Sequence, residues 1–406
     1  MRQDLDRLMV ERGLDALVVS GPVWANPAMA YMANGAVLSG GYVVKRRGRA
    51  PVVLCSPIER GEALASGLDV INLARYDLGS ITRASSNELD AAVELHRRFL
   101  VDLGVTGRVG FYGMADPGRS WLLLRALDER LEGITVCGEF GPTVIDEARA
   151  TKDEGEVARI QDVARRTCAV VAQTVAYLQS HATRGDVLVE ADGSPLTLGG
   201  VHREIRRAIA QHGLEDPEGF IFSLGRDAAI PHSRGCPDDV VSLGRTMVFD
   251  IFPRTSGGYF FDLTRTFCLG FAPPEIEQAY ADVLDCVRML EESYRAGVET
   301  RRYQGMACEF LEGRGHPTVL SDPRTEHGYV HGLGHGVGLA VQEEPSFANT
   351  VHNSTVLKSG HVFTCEPGVY YPDREYGVRI ADVIWIDAAG NPRRLTEYPY
   401  QLVIEM

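Results

Sequence analysis

The chain has 406 residues, too many for one ordinary hydrophobic core and a suitable number for two domains. Hydrophobic residues make up 45% and charged residues 24%, which is typical of a globular protein and not of a disordered or fibrous one. The formal net charge of −14 argues against nucleic acid or an anionic membrane surface as the main partner.

The N-terminus predicts an amphipathic helix that runs into a strand, MRQDLDRLMVERGLDALVV. It lacks the apolar run and the small-residue cleavage site of a secretory signal. No stretch approaches the roughly 18 apolar residues that span a bilayer. The 8 cysteines are scattered and form no CxxC motif, a pattern typical of reduced thiols. We therefore expect a cytoplasmic protein.

Strand-like and helix-like segments alternate over the first domain, which we place at residues 1–148. This alternation predicts an α/β domain with a mixed or parallel sheet. No GxGxxG or Walker-type loop accompanies it, so no nucleotide site is expected there. The predicted strands are LDALVVSG, GGYVVKR, APVVLCS and GRVGFYG, and the predicted helices are ELDAAVELHRRFLVDLG and RSWLLLRALDERL.

A polar stretch at 146–156, DEARATKDEGE, predicts the joint to a second domain at 149–406. A long helix follows, because apolar residues recur at steps of three and four from Val157 to Leu178. Beyond it, helices are set apart from strands, which predicts an α+β sheet covered by helices. The helices are expected at 198–212, 274–296 and 302–313, and the strands at 219–224, 246–252, 258–268, 361–366 and 377–386.

Two aspartates lie on a predicted hairpin, TMVFDIFPRTSGGYFFDLTRTF. If the turn centres on Ser256, Asp250 sits directly opposite Asp262, about 5 Å away at Cβ. Two carboxylates so close in an apolar sheet repel each other, and a divalent cation between them relieves that repulsion. A shared proton, or a register that exposes one aspartate, is the alternative.

Further candidate ligands follow later in the chain. His331 and His335 lie four residues apart in the glycine-rich segment HGLGHGVGLAVQEEP, where backbone can approach a ligand closely. Glu366 ends an apolar strand in SGHVFTCEPGVYYP, and Arg379 and Ala381 share one face of the strand YGVRIADVIWID. Two aspartates, a histidine and a glutamate in one domain form a ligand set for a hard cation with one nitrogen donor.

Four segments, FDLTRTF, HGLGHGVGL, EPGVYY and GVRI, resemble in order and spacing the diagnostic motifs of the pita-bread metallohydrolases. This family includes methionine aminopeptidase, aminopeptidase P, prolidase and creatinase. The resemblance covers residues 150–406 closely, and 1–145 more loosely. It implies a pita-bread catalytic domain of the α+β class, preceded by a smaller creatinase-type α/β domain.

The resemblance also implies roles for individual residues. His232, in IPHSRG, matches the histidine that contacts substrate or assists proton transfer. His331 and Arg379 match positions that line the pocket, and Glu366 would shuttle a proton for the attacking hydroxide. Four of the family's five metal ligands are matched, at Asp250, Asp262, His335 and Glu366.

Two positions depart from the family pattern. Ala381 stands where the family has a glutamate that bridges two metal ions, and Gln342 stands where peptidases usually carry a substrate-contacting histidine. Asp382 is not expected to replace the glutamate, because successive strand side chains point to opposite faces. We therefore expect a weakened site with one ion rather than two, held by Asp262, His335 and Glu366, or no ion at all.

The leading functional hypothesis is a metal-dependent hydrolase of a small peptide-like amide, on the pattern of Xaa-Pro aminopeptidase and prolidase. Mn, Fe, Co or Zn suits its ligand set. One alternative is a diverged relative, either a metal-free hydrolase like creatinase with His232 as general base, or a lyase. Another is an inactivated binding protein. The family resemblance also implies a homodimer.

Overall fold

The computed structural model describes residues 2–406. The chain divides into two compact units, of which the first ends at Arg149 and the second is Ala150–Met406. The sequence placed this boundary one residue earlier. Within residues 2–406, no helix is both long enough and apolar enough to cross a membrane.

The first unit is built on a six-stranded mixed sheet of order β4-β3-β2-β1-β5-β6. β1 pairs antiparallel with β2 on one side and parallel with β5 on the other. The chain thus leaves β1 towards β2 and returns much later to β1's opposite side as β5. The strands are β1 (Ala16–Ser20), β2 (Tyr42–Arg46), β3 (Val52–Cys55), β4 (Asp69–Asn72), β5 (Gly107–Gly113) and β6 (Ile134–Cys137).

Two long helices of the first unit begin at side chains that cap them. Asn87 and Asp116 each accept a hydrogen bond from a backbone N–H of the first turn, and so start the helices on either side of β5 in the chain. The apolar faces of these two helices and the side chains of the sheet form one hydrophobic cluster. The helices are α1 (Arg2–Glu11), α2 (Pro27–Met32), α3 (Arg60–Ala65), α4 (Leu78–Ala84), α5 (Glu88–Asp102), α6 (Pro117–Arg130) and α7 (Val144–Ala150).

The long helix predicted after residue 157 starts three residues earlier. The Asp153 side chain accepts a hydrogen bond from the Glu156 backbone N–H, and the Glu156 side chain accepts one from the Asp153 backbone N–H. These two hydrogen bonds form a capping box at the start of the helix. The polar stretch 146–156 is therefore mostly helical rather than a linker. Within it, Lys152 is buried and forms an ion pair with Glu343. The helices of the second unit are α8 (Glu154–Gln179), α9 (Leu198–Gln211), α10 (Pro274–Ser293) and α11 (Thr300–Gly313).

Two main sheets form the second unit, of order β19-β11-β10-β9 and β13-β12-β14-β17-β18. Helices α8 and α9 pack on one hydrophobic cluster and helices α10 and α11 on another. The strands are β7 (Ala182–Arg184), β8 (Val187–Val189), β9 (Ile221–Leu224), β10 (Thr246–Ile251), β11 (Leu263–Leu269), β12 (His335–Gly336), β13 (Glu343–Ser346), β14 (Val362–Cys365), β15 (Gly368–Tyr371), β16 (Tyr376–Arg379), β17 (Asp382–Ile386), β18 (Pro392–Arg394) and β19 (Val403–Ile404).

Two strand predictions need correction. The strand expected at 258–268 begins only at Leu263, and the strand expected at 377–386 is two strands. The latter breaks because β16 pairs with β15 while β17 pairs with β14, so the chain changes partner at 380–381. At the break, Ala381 bridges Thr264 of β11 through both backbone hydrogen bonds, at 3.1 and 3.3 Å. This bridge joins the end of β16 to the aspartate hairpin.

Candidate active site

The hairpin that carries the two aspartates has a different register from the one expected. Asp250 pairs with Thr264, not with Asp262. The turn centres on Gly257, whose φ of +60° is a conformation that glycine adopts without strain. The same register continues through the bridge between Arg254 and Phe260. Because the shift is two residues, Asp262 stays on the same strand face as Asp250, as a diagonal neighbour.

All eight residues singled out as site residues line one cavity of about 740 Å³. Most of them are buried or half-buried, whereas His232 and Gln342 are exposed at its surface. The structure thus brings together residues that lie more than 140 positions apart in the chain. They are His232, Asp250, Asp262, His331, His335, Gln342, Glu366 and Arg379.

Asp262, His335 and Glu366 approach one another at the centre of this cavity. Nε2 of His335 lies 3.3 Å from Oε1 of Glu366 and 3.8 Å from Oδ2 of Asp262. Nδ1 of His335 lies 3.1 Å from its neighbour's carbonyl oxygen, which only accepts, so Nδ1 carries the hydrogen and Nε2 presents its lone pair to the carboxylates. The Thr364 hydroxyl donates to Oε1 of Glu366 at 2.9 Å.

The two carboxyl groups of this cluster are held in an unfavourable environment. Burial raises the pKa of Asp262 well above its ordinary value, and the nearby Asp250 and Glu366 raise it further. Burial also raises the pKa of Glu366. Oδ1 of Asp262 is buried without a hydrogen-bond partner. Such a pair gains stability from a positive charge beside it.

The negative charge of Asp250 is neutralised by an ion pair with Arg379. Nη2 of Arg379 donates to Oδ2 of Asp250 at 2.7 Å, and the Thr264 hydroxyl donates to Oδ1 at 2.8 Å. Nη1 of the same arginine donates to the Tyr370 hydroxyl at 2.9 Å and to the Pro231 carbonyl at 3.0 Å. Both carboxylate oxygens of Asp250 are therefore engaged by protein donors.

His331 is fixed by the same network. Its Nδ1 donates to the Gly332 carbonyl at 2.8 Å, so its Nε2 accepts a hydrogen bond from the Tyr370 hydroxyl at 2.9 Å. Burial, helped by the charge of Arg379, lowers the pKa of His331 to about 4. Tyr370 was not singled out from the sequence, although it shares a strand face with Gly368, the residue that pairs with Arg379.

Asp382 faces away from the cavity, as the strand alternation predicted. It is fully buried, accepts from Nη2 of Arg265 at 2.8 Å, and accepts from the Tyr400 hydroxyl at 2.6 Å. Ala381 is fully buried beside Thr264. No carboxylate therefore comes from position 381 or 382.

The cavity contains a set of donors that fits a divalent ion. No group of three or more His, Cys, Asp and Glu side chains among residues 2–406 is already arranged as a metal-binding cluster. The donors that Asp262, His335 and Glu366 offer, two carboxylates and one imidazole nitrogen, nevertheless suit a divalent ion. Arg379 already donates to Asp250, and Ala381 offers no oxygen from its side chain.

A two-sheet domain with carboxylates and histidines around one cavity, preceded in the chain by a smaller α/β unit, is the architecture of the pita-bread metallohydrolases, so the predicted fold class is confirmed. Residues 158–388, more than half of the chain, match the model of metallopeptidase family M24. The chain belongs to that family.

Three known proteins illustrate the relationship. The chain is 28% identical over 261 residues to the probable dipeptidase PepE of Mycobacterium tuberculosis H37Rv, a match that covers 64% of this chain and 62% of that protein. It is 26% identical over 278 residues to the Xaa-Pro dipeptidase of Pyrococcus furiosus, covering 67% and 76%. The crystal structure of the prolidase from Pyrococcus horikoshii OT3 superimposes with a TM-score of 0.72 at 22% identity, over 98% of this chain and 99% of that one.

Proposed function

We propose that this protein is a metal-dependent peptidase that hydrolyses short peptides, with Xaa-Pro dipeptides and N-terminal Xaa-Pro bonds as its preferred substrates. Membership of family M24 and the names of its relatives support the peptidase class. The observation that carries the proposal is the convergence of Asp262, His335 and Glu366, with one buried carboxylate oxygen unpartnered, in a single cavity.

The metal would be one divalent ion bound by Asp262, His335 and Glu366. When bound, it supplies Lewis-acid chemistry at the scissile carbonyl. Position 381 argues against a second ion, because the bridging carboxylate of the family is absent there. The ion pair between Arg379 and Asp250 argues the same way, since it already neutralises the remaining aspartate.

Proton transfer would fall to Glu366, whose carboxylate lies beside His335 and accepts a hydrogen bond from Thr364. His232, exposed at the cavity wall, would contact the substrate. His331 would act through Tyr370, because both ring nitrogens of this neutral imidazole are already hydrogen-bonded. Gln342 can hydrogen-bond a substrate but cannot take up a proton.

The test is the metal content per chain by elemental analysis, for the native protein, Ala381→Glu and the control Ala348→Glu. Ala348 also lines the cavity but is exposed. We expect about one metal in the native protein and the control, and about two in Ala381→Glu. Hydrolysis of Xaa-Pro dipeptides should stop with a chelator and return with Mn²⁺. No metal in any of the three proteins, with no Mn²⁺-dependent hydrolysis, would falsify the proposal.

The ion pair between Arg379 and Asp250 also favours a second candidate, a metal-independent hydrolase or lyase acting on a small molecule. In that case His232 would be the general base, with Glu366 and Arg379 positioning the substrate. Turnover that is insensitive to chelators would select this candidate. A binding protein without activity would show neither metal nor turnover, even in Ala381→Glu.

A homodimer is part of the proposal, and sedimentation analysis tests it.

A further inference from the structure

A second cavity, of about 960 Å³, lies within the first unit. Ser20, Tyr112 and Gly113 line it at the carboxyl ends of the parallel strands β1 and β5. The chain leaves β1 towards β2 on one side and leaves β5 through α6 towards β6 on the other. Open α/β sheets bind ligands at such a point, where connections diverge beyond the carboxyl ends of neighbouring strands.

The walls of this cavity are mainly apolar. They come from the N-terminal halves of α5 and α6 and from the sheet beneath them. The volume is within the range of small-molecule sites, roughly 300–1,000 Å³. The apolar lining residues include Leu89, Ala92, Phe111, Leu122, Leu123 and Leu124.

His96 supplies a buried hydrogen-bond acceptor in this lining. Its side chain is only 3% exposed, and its Nδ1 lies 2.7 Å from the Ala92 carbonyl oxygen. Since a carbonyl only accepts, Nδ1 carries the hydrogen and Nε2 has a free lone pair. No residue of the described chain donates to that Nε2. Ring contacts with Tyr42, Phe99 and Phe111 fix the imidazole in place.

The protonation state of His96 and the charges at the rim limit the ligand further. Burial lowers the pKa of His96 to about 4, so the ring is neutral near pH 7 and cannot donate from Nε2. The charged lining residues are Glu88, Asp116 and Arg119, with net charge −1. Arg119 lies 4.0 Å from Glu88, whereas Asp116 caps α6. An anionic ligand is therefore disfavoured.

We propose that this cavity binds a small, uncharged aromatic molecule with one ring N–H or O–H group. The donor binds Nε2 of His96, and the ring packs against Phe111 and the leucines of α6. This site shares no lining residue with the candidate active-site cavity, and the inference does not depend on the proposed function. The shared chemistry of indoles and phenols identifies the ligand class.

Binding is measured by ¹⁹F NMR titration of the full-length protein with 5-fluoroindole and with 5-fluoro-1-methylindole, which lacks the donor. We expect the wild type to bind the first probe at least about fivefold more tightly, the worth of one neutral hydrogen bond. His96→Phe keeps an aromatic ring but removes the acceptor, so it should abolish the preference between the two probes.

Two more variants locate the site. Ala92→Phe fills the cavity and leaves His96 in place, so it should reduce the binding of both probes at least about tenfold. Trp121→Ala is the control, because Trp121 is exposed beside the rim and does not line the cavity. Thermal melts verify the fold of each variant. The proposal is overturned if the wild type binds neither probe, binds both equally, or binds them as well after Ala92→Phe.

Discussion

His361 is buried beside two lysines, and its Nδ1 accepts a hydrogen bond from the backbone N–H of Lys358. Burial and, to a smaller extent, the charges of Lys152 and Lys358 together lower the pKa of His361 to about 3. Protonation of Nδ1 would also break the hydrogen bond from Lys358. The residue type suggests a switch near neutral pH, but its surroundings keep the ring uncharged in the folded state.

This histidine should make the fold sensitive to acid. In the unfolded chain His361 takes up a proton near pH 6.5, whereas in the folded chain it does so only near pH 3. The contribution of His361 to the free energy of unfolding is therefore complete above pH 6.5 and is lost as the pH falls from 6.5 towards 3. Between pH 6.5 and about pH 4.5, protonation of His361 in the unfolded chain should lower the free energy of unfolding of the wild type by about 2–3 kcal/mol. The His361→Leu variant should not show this decrease in the free energy of unfolding.

Urea denaturation at the two pH values measures the difference. His352→Leu is the matched control, because His352 is exposed. If His361→Leu and wild type lost the same free energy of unfolding between the two pH values, the buried histidine would not be the acid-sensitive group.

The hairpin of β10 and β11 is the element on which the site depends most directly. Its register follows from the turn, where Gly257 adopts φ +60°, and not from the position of the aspartates. An L-residue with a Cβ is strained in this left-handed conformation, and asparagine tolerates it better than alanine.

Gly257→Ala should therefore lower the free energy of unfolding by about 1–2 kcal/mol, and Gly257→Asn by less. Chemical denaturation of each variant beside Ser256→Ala, the preceding turn residue, measures the effect. Equal stability of Gly257→Ala and Ser256→Ala would show that the turn tolerates a side chain at this position, and that its register has another origin.

At the scale of the molecule, the second unit contains its own hydrophobic clusters. The two large ones consist of residues between Val157 and Ile404, and the candidate active-site cavity is lined entirely by residues of the same unit. A unit with its own core has the physical requirement for independent folding.

Residues 150–406 expressed alone should therefore unfold cooperatively and bind as much metal as the full chain. Calorimetry and elemental analysis of the fragment test both points. A fragment that melts without a cooperative transition would show that the first unit contributes to the stability of the second, and unequal metal content in a folded fragment would contradict the assignment of the site to this unit alone.

Patterns in the sequence predicted the two-domain organisation and the α+β class of the second unit, and the family resemblance supplied eight candidate residues that line its cavity. The elements could be predicted because helical periodicity, as in Val157–Leu178, is a local signal. The prediction that Asp382 faces away from the cavity also agrees with its hydrogen bond to Arg265, although the predicted strand breaks at 380–381.

Which charged side chains meet depends on the tertiary structure. The pairing of Asp250 with Thr264, the ion pair of Arg379 with Asp250 and the unpartnered lone pair of His96 all depend on a turn conformation or on segments distant in the chain. Residue spacing carries no information on such distances, because the fold of the intervening chain sets them. For the same reason, the sequence predicted a site with two opposed aspartates, whereas the structure has one aspartate neutralised by arginine and one beside a histidine and a glutamate.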